Sequence, residues 1–276
     1  MPTLKLVIEY AGTRFSGWQE QKAALTVAGE LRRALAESGC SVNEIGGAGR
    51  TDAGVHAVAQ TAHVRLAGTH DPAALLTAVN ERLPADINVL ALHVVDDRFH
   101  ARHHAVARSY VYQIARRRTA FAKRYVWWVA DELDLQAMRA ACVLCVGEHD
   151  FARFCERPKE HKSTQVRVDR AEIACSGSLV LLRFEASHFL WRMVRRLTGA
   201  LVQVGRGGLS VEEFQALLAQ EQTTDRRELA SAWTAPASGL FLESVRYDGD
   251  EPLPPLRPMF SIDAGAHGDD RELPSR

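Results

Sequence analysis

The 276-residue chain is short of cysteine, with five in all. So sparse and odd a set argues against a disulfide framework and for reduced thiols. It also lacks an excess of either charge: 34 Lys and Arg balance 34 Asp and Glu. No run of 18 apolar residues occurs, which excludes a transmembrane helix. The first ten residues interleave Lys5 and Glu9 with apolar ones and so lack the build of a signal peptide. A cytoplasmic protein without membrane contact is the expectation. No Walker A lysine follows the glycines near residue 47, and no Rossmann fingerprint is present. What remains is an ordinary globular mix, 46% hydrophobic and 25% charged. The length suits one large domain or two ordinary ones.

A neutral total hides uneven charge. From Arg102 to Arg124 there are seven Lys or Arg residues and no acid. From Arg183 to Arg206 five arginines face Glu185 alone. Such runs either solvate helices or form a basic face for nucleic acid. Arg192, Arg196, Arg116, Arg117, Arg118, Lys123 and Arg124 are candidates for phosphate contacts.

Hydrophobic periodicity gives the first half as β-α-β-α-β, with room for a further strand near Ile45. Leu4, Leu6 and Ile8 alternate as a strand. Thr26 to Glu37 reads as a helix with Val27, Leu31, Ala34 and Leu35 on its apolar side. Val58 to Leu66 and Ile87 to Val95 read as strands, and Asp71-Pro72 opens a helix. The second half has a comparable rhythm: strands at 109–115, 164–174, 178–184 and 240–247, and helices at 134–146, 189–204 and 211–219. Ser210 with Glu213 is a capping box. The fold class expected is α+β. The boundaries expected are 1–104, 105–248 and a proline-rich, mobile tail at 249–276.

The richest stretch is Gly46 to His56, GGAGRTDAGVH. Glycines permit tight turns and close approach of a ligand. Arg50 and Asp52 put a carboxylate beside a permanent cation, which would keep it ionised and oriented. Asp52 is then either a turn residue satisfying backbone N–H groups or a nucleophile or general base. Cys142, Cys145, His149 and Cys155 invite a metal test. The C-x-x-C pair lies in an apolar helix rather than a tight turn, so core cysteines are the better reading. His56 and His149 could each orient a loop.

GRTDAGVHA resembles the signature of the TruA family of tRNA pseudouridine synthases. Further segments resemble the family in the same order: YAGTRFSGWQEQ from Tyr10, RSYVYQI from Arg108, GEHDFARF from Gly147, HFLWRMVRRLTGALVQVG from His188 and TAPASGLFLESVRY from Thr234. The resemblance implies two ferredoxin-like α/β domains forming a long mixed, mainly antiparallel sheet. Helices lie on one face, with an active-site cleft between the domains. By position, it makes Asp52 the catalytic aspartate and Arg50 the arginine beside it. Tyr110 becomes the tyrosine packed near the target base, and Arg195 the arginine paired with the carboxylate. It further implies a homodimer that needs neither metal nor organic cofactor. Its reaction would be isomerisation of uridine to pseudouridine at positions 38, 39 and 40 of the tRNA anticodon arm. Two other classes compete: an RNA-binding protein on the same scaffold, which would not need Asp52, and a metal-dependent hydrolase, for which the sequence offers no convincing ligand cluster.

Overall fold

Leu4, Leu6, Ile8 and Tyr10 alternate with partly exposed Lys5, Val7 and Glu9 along the first strand, β1 (Thr3–Tyr10), so one face of that strand enters the core. The computed structural model describes residues 2–156, 163–220 and 232–262. After β1 come α1 (Val27–Glu37), β2 (Val42–Gly47), β3 (His56–Leu66), α2 (Pro72–Arg82) and β4 (Ile87–Val95). Local chemistry sets the helix starts. The Thr26 hydroxyl accepts the Gly29 N–H at 3.2 Å, and the Asp71 carboxylate accepts the Ala74 N–H at 3.0 Å ahead of Pro72.

The second half runs β5 (Ala105–Ala115), β6 (Trp127–Trp128), α3 (Leu135–Val143), β7 (Gly147–Asp150), β8 (Gln165–Ser176), β9 (Leu179–Ala186), α4 (Met193–Gly205), α5 (Val211–Leu218) and β10 (Leu240–Tyr247). The capping box expected at Ser210 and Glu213 is formed. All ten strands share one sheet in the order β4-β1-β3-β10-β5-β9-β8-β7, with β2 on β3 and β6 on β5. The β3–β10 and β5–β6 pairs are parallel and the others antiparallel. The architecture is therefore α+β, a mixed and mostly antiparallel sheet with flanking helices.

Both halves place their strands alike. The first four strands order as β4-β1-β3-β2, and their counterparts as β10-β5-β9-β8. Each is a β-α-β-β-α-β unit of ferredoxin-like order. The units join where Phe241 and Leu242 pair with His56 and Ala57. Among the described residues five α-helices feed one continuous core: Leu31 and Leu35 of α1, Val79 of α2, Met138 of α3, Leu197 of α4 and Phe214 of α5 are all buried in it.

On the opposite face of the second unit, Ala115, Leu179 and Leu181 form a smaller cluster with Ala122 and Val126, covered by Leu256 and Ile262. Arg183 is fully buried there. It donates to Glu243 through Nε at 2.8 Å and to the Pro254 carbonyl at 2.9 Å, while Ser109 donates to the same carboxylate at 2.6 Å. The Gln113 amide oxygen accepts the N–H groups of Met259 and Phe260 at 2.7 and 3.2 Å. Residues 250–262 thus lie along this face by specific bonds. The remainder of the expected tail, 263–276, lies outside the described residues.

One expected helix starts late. The apolar pattern predicts it from Phe189, but α4 begins at Met193 because Arg192 adopts a left-handed φ of 62°. Residues 189–191 are turned away instead, which brings the Phe189 ring edge-on to Tyr110 at 5.1 Å between centroids.

Candidate active site

The loop 48–55 between β2 and β3 is pinned through its backbone, so its one carboxylate has a fixed base. The Ala48 N–H donates to the Thr61 carbonyl at 2.8 Å, and the Gln60 amide donates to the Gly49 carbonyl at 2.9 Å. The Thr51 hydroxyl and the Tyr10 phenol share a buried hydrogen bond of 2.8 Å. The Thr51 carbonyl accepts the Trp18 N–H at 3.1 Å, and the Asp52 carbonyl accepts the Val55 N–H at 3.1 Å. Gly17 is needed beside this turn: its φ is +93°, and a Cβ there would lie 2.5 Å from the Thr51 carbonyl oxygen. Trp18 is 2% exposed and packs against Gly47.

Asp52 faces a cleft of about 930 Å³ lined from both halves of the chain. Its partner is Arg195, whose Nη1 lies 3.4 Å from Asp52 Oδ2. The same guanidinium donates through Nε to the Ala235 carbonyl at 2.7 Å, and the Ala235 N–H donates to the Arg195 carbonyl at 3.1 Å. The first turn of α4 is thereby tied to the segment leading into β10, and the arginine is held in a direction of use to Asp52. Tyr110, on β5, is 8% exposed and lines the same cleft. Burial pushes its phenol pKa far up, with the Tyr10 and Asp52 charges adding to the effect. It stays a neutral phenol at physiological pH.

The structure brings Asp52, Tyr110 and Arg195 together in the lining of the cleft. Arg50 also lines it, but from an exposed position on the rim. The ion pair to Asp52 comes from Arg195, 143 residues away, and not from the neighbour in sequence. Among the other arginines weighed for phosphate contacts, Arg196 is 7% exposed and pairs with Glu156 at 2.7 Å, so it belongs to the interior. Arg192 lies 3.5 Å from the same carboxylate.

Sequence reasoning gave no role to Arg108, which holds the cleft together. It is buried, and its guanidinium donates to the main-chain carbonyls of Ala48, Arg102, Ala105 and Ser187. The available signal is a lone arginine within a strand that is otherwise buried. His56 does what a loop-orienting histidine should. Its Nδ1 accepts the Gly12 N–H at 3.0 Å, so Nε2 carries the proton and donates to the Arg124 carbonyl at 2.9 Å. Burial lowers its pKa and keeps it neutral.

Cys142 and Cys145 are buried among apolar neighbours, and burial pushes the Cys142 thiol up to about 12. Among the described residues one group has metal-ligating types together: Glu44, His63 and His100, with ligand atoms within 4.8 Å. Each of the three already has a donor atom engaged. Glu44 is bonded to Arg65 at 2.5 Å, His63 Nδ1 accepts the Ala101 N–H at 3.2 Å, and His100 Nδ1 accepts the Arg102 N–H at 3.2 Å. We assign it no metal.

A family model described as tRNA pseudouridine synthase matches residues 6–104 and 141–248. The chain is 39% identical over 250 residues to tRNA pseudouridine synthase A of Rhodopseudomonas palustris, covering 90% of this chain and 100% of that one. It is 40% identical to the protein of the same name from Nitrobacter hamburgensis, with the same coverage. With that of Brucella ovis the identity is 39% over 252 residues, covering 90% and 98%.

Proposed function

The chain belongs to this family of tRNA pseudouridine synthases, and from that premise we propose that it isomerises uridine to pseudouridine at positions 38, 39 and 40 of the tRNA anticodon stem-loop through Asp52. Membership makes it an isomerase acting on tRNA. The choice of Asp52 as its working carboxylate rests on one observation above others: Asp52 is paired with Arg195 inside a two-sided cleft, beside a neutral buried tyrosine.

The reaction breaks the N1–C1' bond and forms C5–C1'. N1 gains a proton and C5 loses one, so atoms and electrons balance within the substrate. Asp52 is the nucleophilic carboxylate, at C6 of the base or at C1' of the ribose. Arg195 holds its charge and direction. A stem uridine has to leave its stack to reach the cleft. Tyr110, backed edge-on by Phe189, offers a ring face to the flipped pyrimidine and a phenol O–H to donate. Arg50 on the rim holds the substrate strand and adds positive potential near the carboxylate. The enzyme acts as a homodimer in the cytoplasm, built of two ferredoxin-like domains, 1–104 and 105–248.

The test is isotope release and site mapping on unmodified tRNA, comparing the native protein with Asp52→Asn. Turnover should be lost in the variant while tRNA binding stays within a few-fold. Product should be confined to positions 38 to 40. Appreciable pseudouridine formation by Asp52→Asn removes the carboxylate from its role. Tight binding by the native protein without product, over several tRNAs bearing uridine at those positions, favours an RNA-binding scaffold instead.

A further inference from the structure

The cleft carries more positive charge than Asp52 can use. Among the described residues five arginines line it, and Asp52 is the only carboxylate there. Arg195 is neutralised by Asp52, and Arg192 lies near Glu156. Arg108 is different. It is buried, and every N–H of its guanidinium is spent on a main-chain carbonyl: Nε on Ala48, Nη1 on Ala105 and Ser187, Nη2 on Ala48 and Arg102. Carbonyl oxygens satisfy its hydrogen bonds but leave its charge uncompensated. A buried charge without a counter-ion is costly, and folds keep one where an anion supplies the balance.

The same bonds determine what stands over that charge. By gripping the carbonyls of Arg102 and Ser187 at 2.6 and 2.7 Å, Arg108 draws together the linker before β5 and the loop after β9. Arg102 and His188 both line the cleft and are exposed. Among the described residues neither side chain has a carboxylate partner. The Ser187 hydroxyl is 3.1 Å from His188 Nδ1, which leaves Nε2 open. Although its side chain reaches solvent, the pKa of His188 is held down first by partial desolvation against the cleft and then by Arg108 and Arg102, as expected of cations sharing one field.

We infer that Arg102, His188 and the buried charge of Arg108 form an anion site for a phosphodiester of the RNA strand that carries the target uridine. The division of labour follows from geometry. Arg102 and His188 supply the hydrogen bonds to phosphate oxygens, and Arg108, with no donor left, supplies field and frame. A phosphate held at this end of the cleft fixes the backbone on either side of a flipped nucleotide, while Tyr110 receives the base. The inference rests on the tRNA reading of the preceding subsection.

The experiment separates the two. Binding of unmodified tRNA to the Asp52→Asn protein is measured against salt concentration, with Arg102→Ala, His188→Ala and the double substitution added. Both side chains are exposed, and thermal unfolding checks that the variants stay folded. Each neutralised phosphate contributes about 0.7 to 0.9 to the slope of log affinity against log salt. The double variant should lose about one phosphate's worth of slope and about ten-fold in affinity near 0.1 M salt. Arg102→Lys should recover the slope. An unchanged slope overturns the site, and so does a loss of affinity without a change of slope. Failure of the native enzyme to isomerise any uridine would remove the catalytic reading, while these slopes would still judge the phosphate site.

Discussion

His56 tests whether the Asp52 turn is positioned from outside itself. It is 1% exposed, stacked on Phe241 at 4.8 Å between ring centroids and tilted against Tyr125 at 5.1 Å. Its two nitrogens staple Gly12 in the first half to Arg124 in the second. Gly12 lies against the end of the Asp52 turn: a Cβ there would fall 1.8 Å from the Val55 carbonyl oxygen. His56→Ala removes two hydrogen bonds at about 1 kcal/mol each, strands a buried Gly12 N–H at about 1 to 3 kcal/mol, and leaves a cavity, so about 4 kcal/mol of stability should be lost. Two near-isosteres divide the staple. Asn places its oxygen where Nδ1 accepts from Gly12, and Gln places its amide where Nε2 meets Arg124. Asn should therefore keep turnover near native at reduced stability, and Gln should lose about ten-fold in kcat, as a small misplacement of a reacting group does. The linkage to pH has a definite sign. The folded-state pKa lies below the ordinary 6.5, with burial as the main cause. Between the two values the unfolded chain binds more protons, so stability is complete above about 6.5 and falls as pH drops below it. Denaturant unfolding of native and His56→Asn proteins from pH 7.5 to 5 isolates that contribution from the other histidines. Equal turnover in the Asn and Gln variants, or a stability difference that ignores pH, would refute the reasoning.

Arg195→Lys keeps the charge but cannot both donate to the Ala235 carbonyl and reach Asp52, so steady-state kinetics should show kcat down about 100-fold with KM little changed. Gly17→Ala meets a left-handed φ and the Thr51 carbonyl oxygen at 2.5 Å, and should cost about 2 to 4 kcal/mol in chemical denaturation. Arg183→Met strands the buried Glu243 carboxylate and should cost about 3 to 5 kcal/mol, with most of it restored by adding Glu243→Leu. Of the five thiols only Cys175 is exposed, and burial pushes the Cys142 thiol up to about 12. Alkylation of native protein near pH 7.5, followed by peptide mass spectrometry, should therefore label Cys175 first.

What was legible in the sequence was what neighbours in sequence decide. The alternation of Leu4, Leu6 and Ile8, the apolar stripe of Val27, Leu31, Ala34 and Leu35, the Asp71 cap and the Ser210–Glu213 box each placed an element close to its observed bounds. The strands at 87–95 and 240–247 coincide with β4 and β10. What was lost depends on groups far apart in the chain. The apolar stripe of α4 runs backward through Leu190, yet the helix stops at Arg192 because Phe189 packs on Tyr110 instead. Arg196 has the spacing of a solvated helix position but pairs internally with Glu156. β7 is four residues of mostly polar sequence, and no periodicity can show in so short a strand. The Asp52 loop stood out as chemistry; its own residues offered Arg50 as the neighbouring cation, the family resemblance offered Arg195, and the ion pair is made by Arg195.

The two units share an order of elements without sharing the chemistry, and one connection accounts for the difference. Between β8 and β9 the chain reverses in the tight turn at Gly177 and Ser178. At the equivalent place in the first unit it takes residues 48–55, the loop that carries Arg50 and Asp52. A longer loop needs backbone partners, and the first unit supplies only some of them: Tyr10, Trp18, Gln60 and Thr61. The others come from the second unit, where Arg108 takes the Ala48 carbonyl and Arg195 takes the Asp52 carboxylate. The unit that lacks the loop thus provides the cations that hold it. The site therefore sits at the seam where β3 meets β10. Shared order sets the two units edge to edge, and unequal loops turn that edge into a cleft with, among the described residues, one carboxylate and an excess of positive charge.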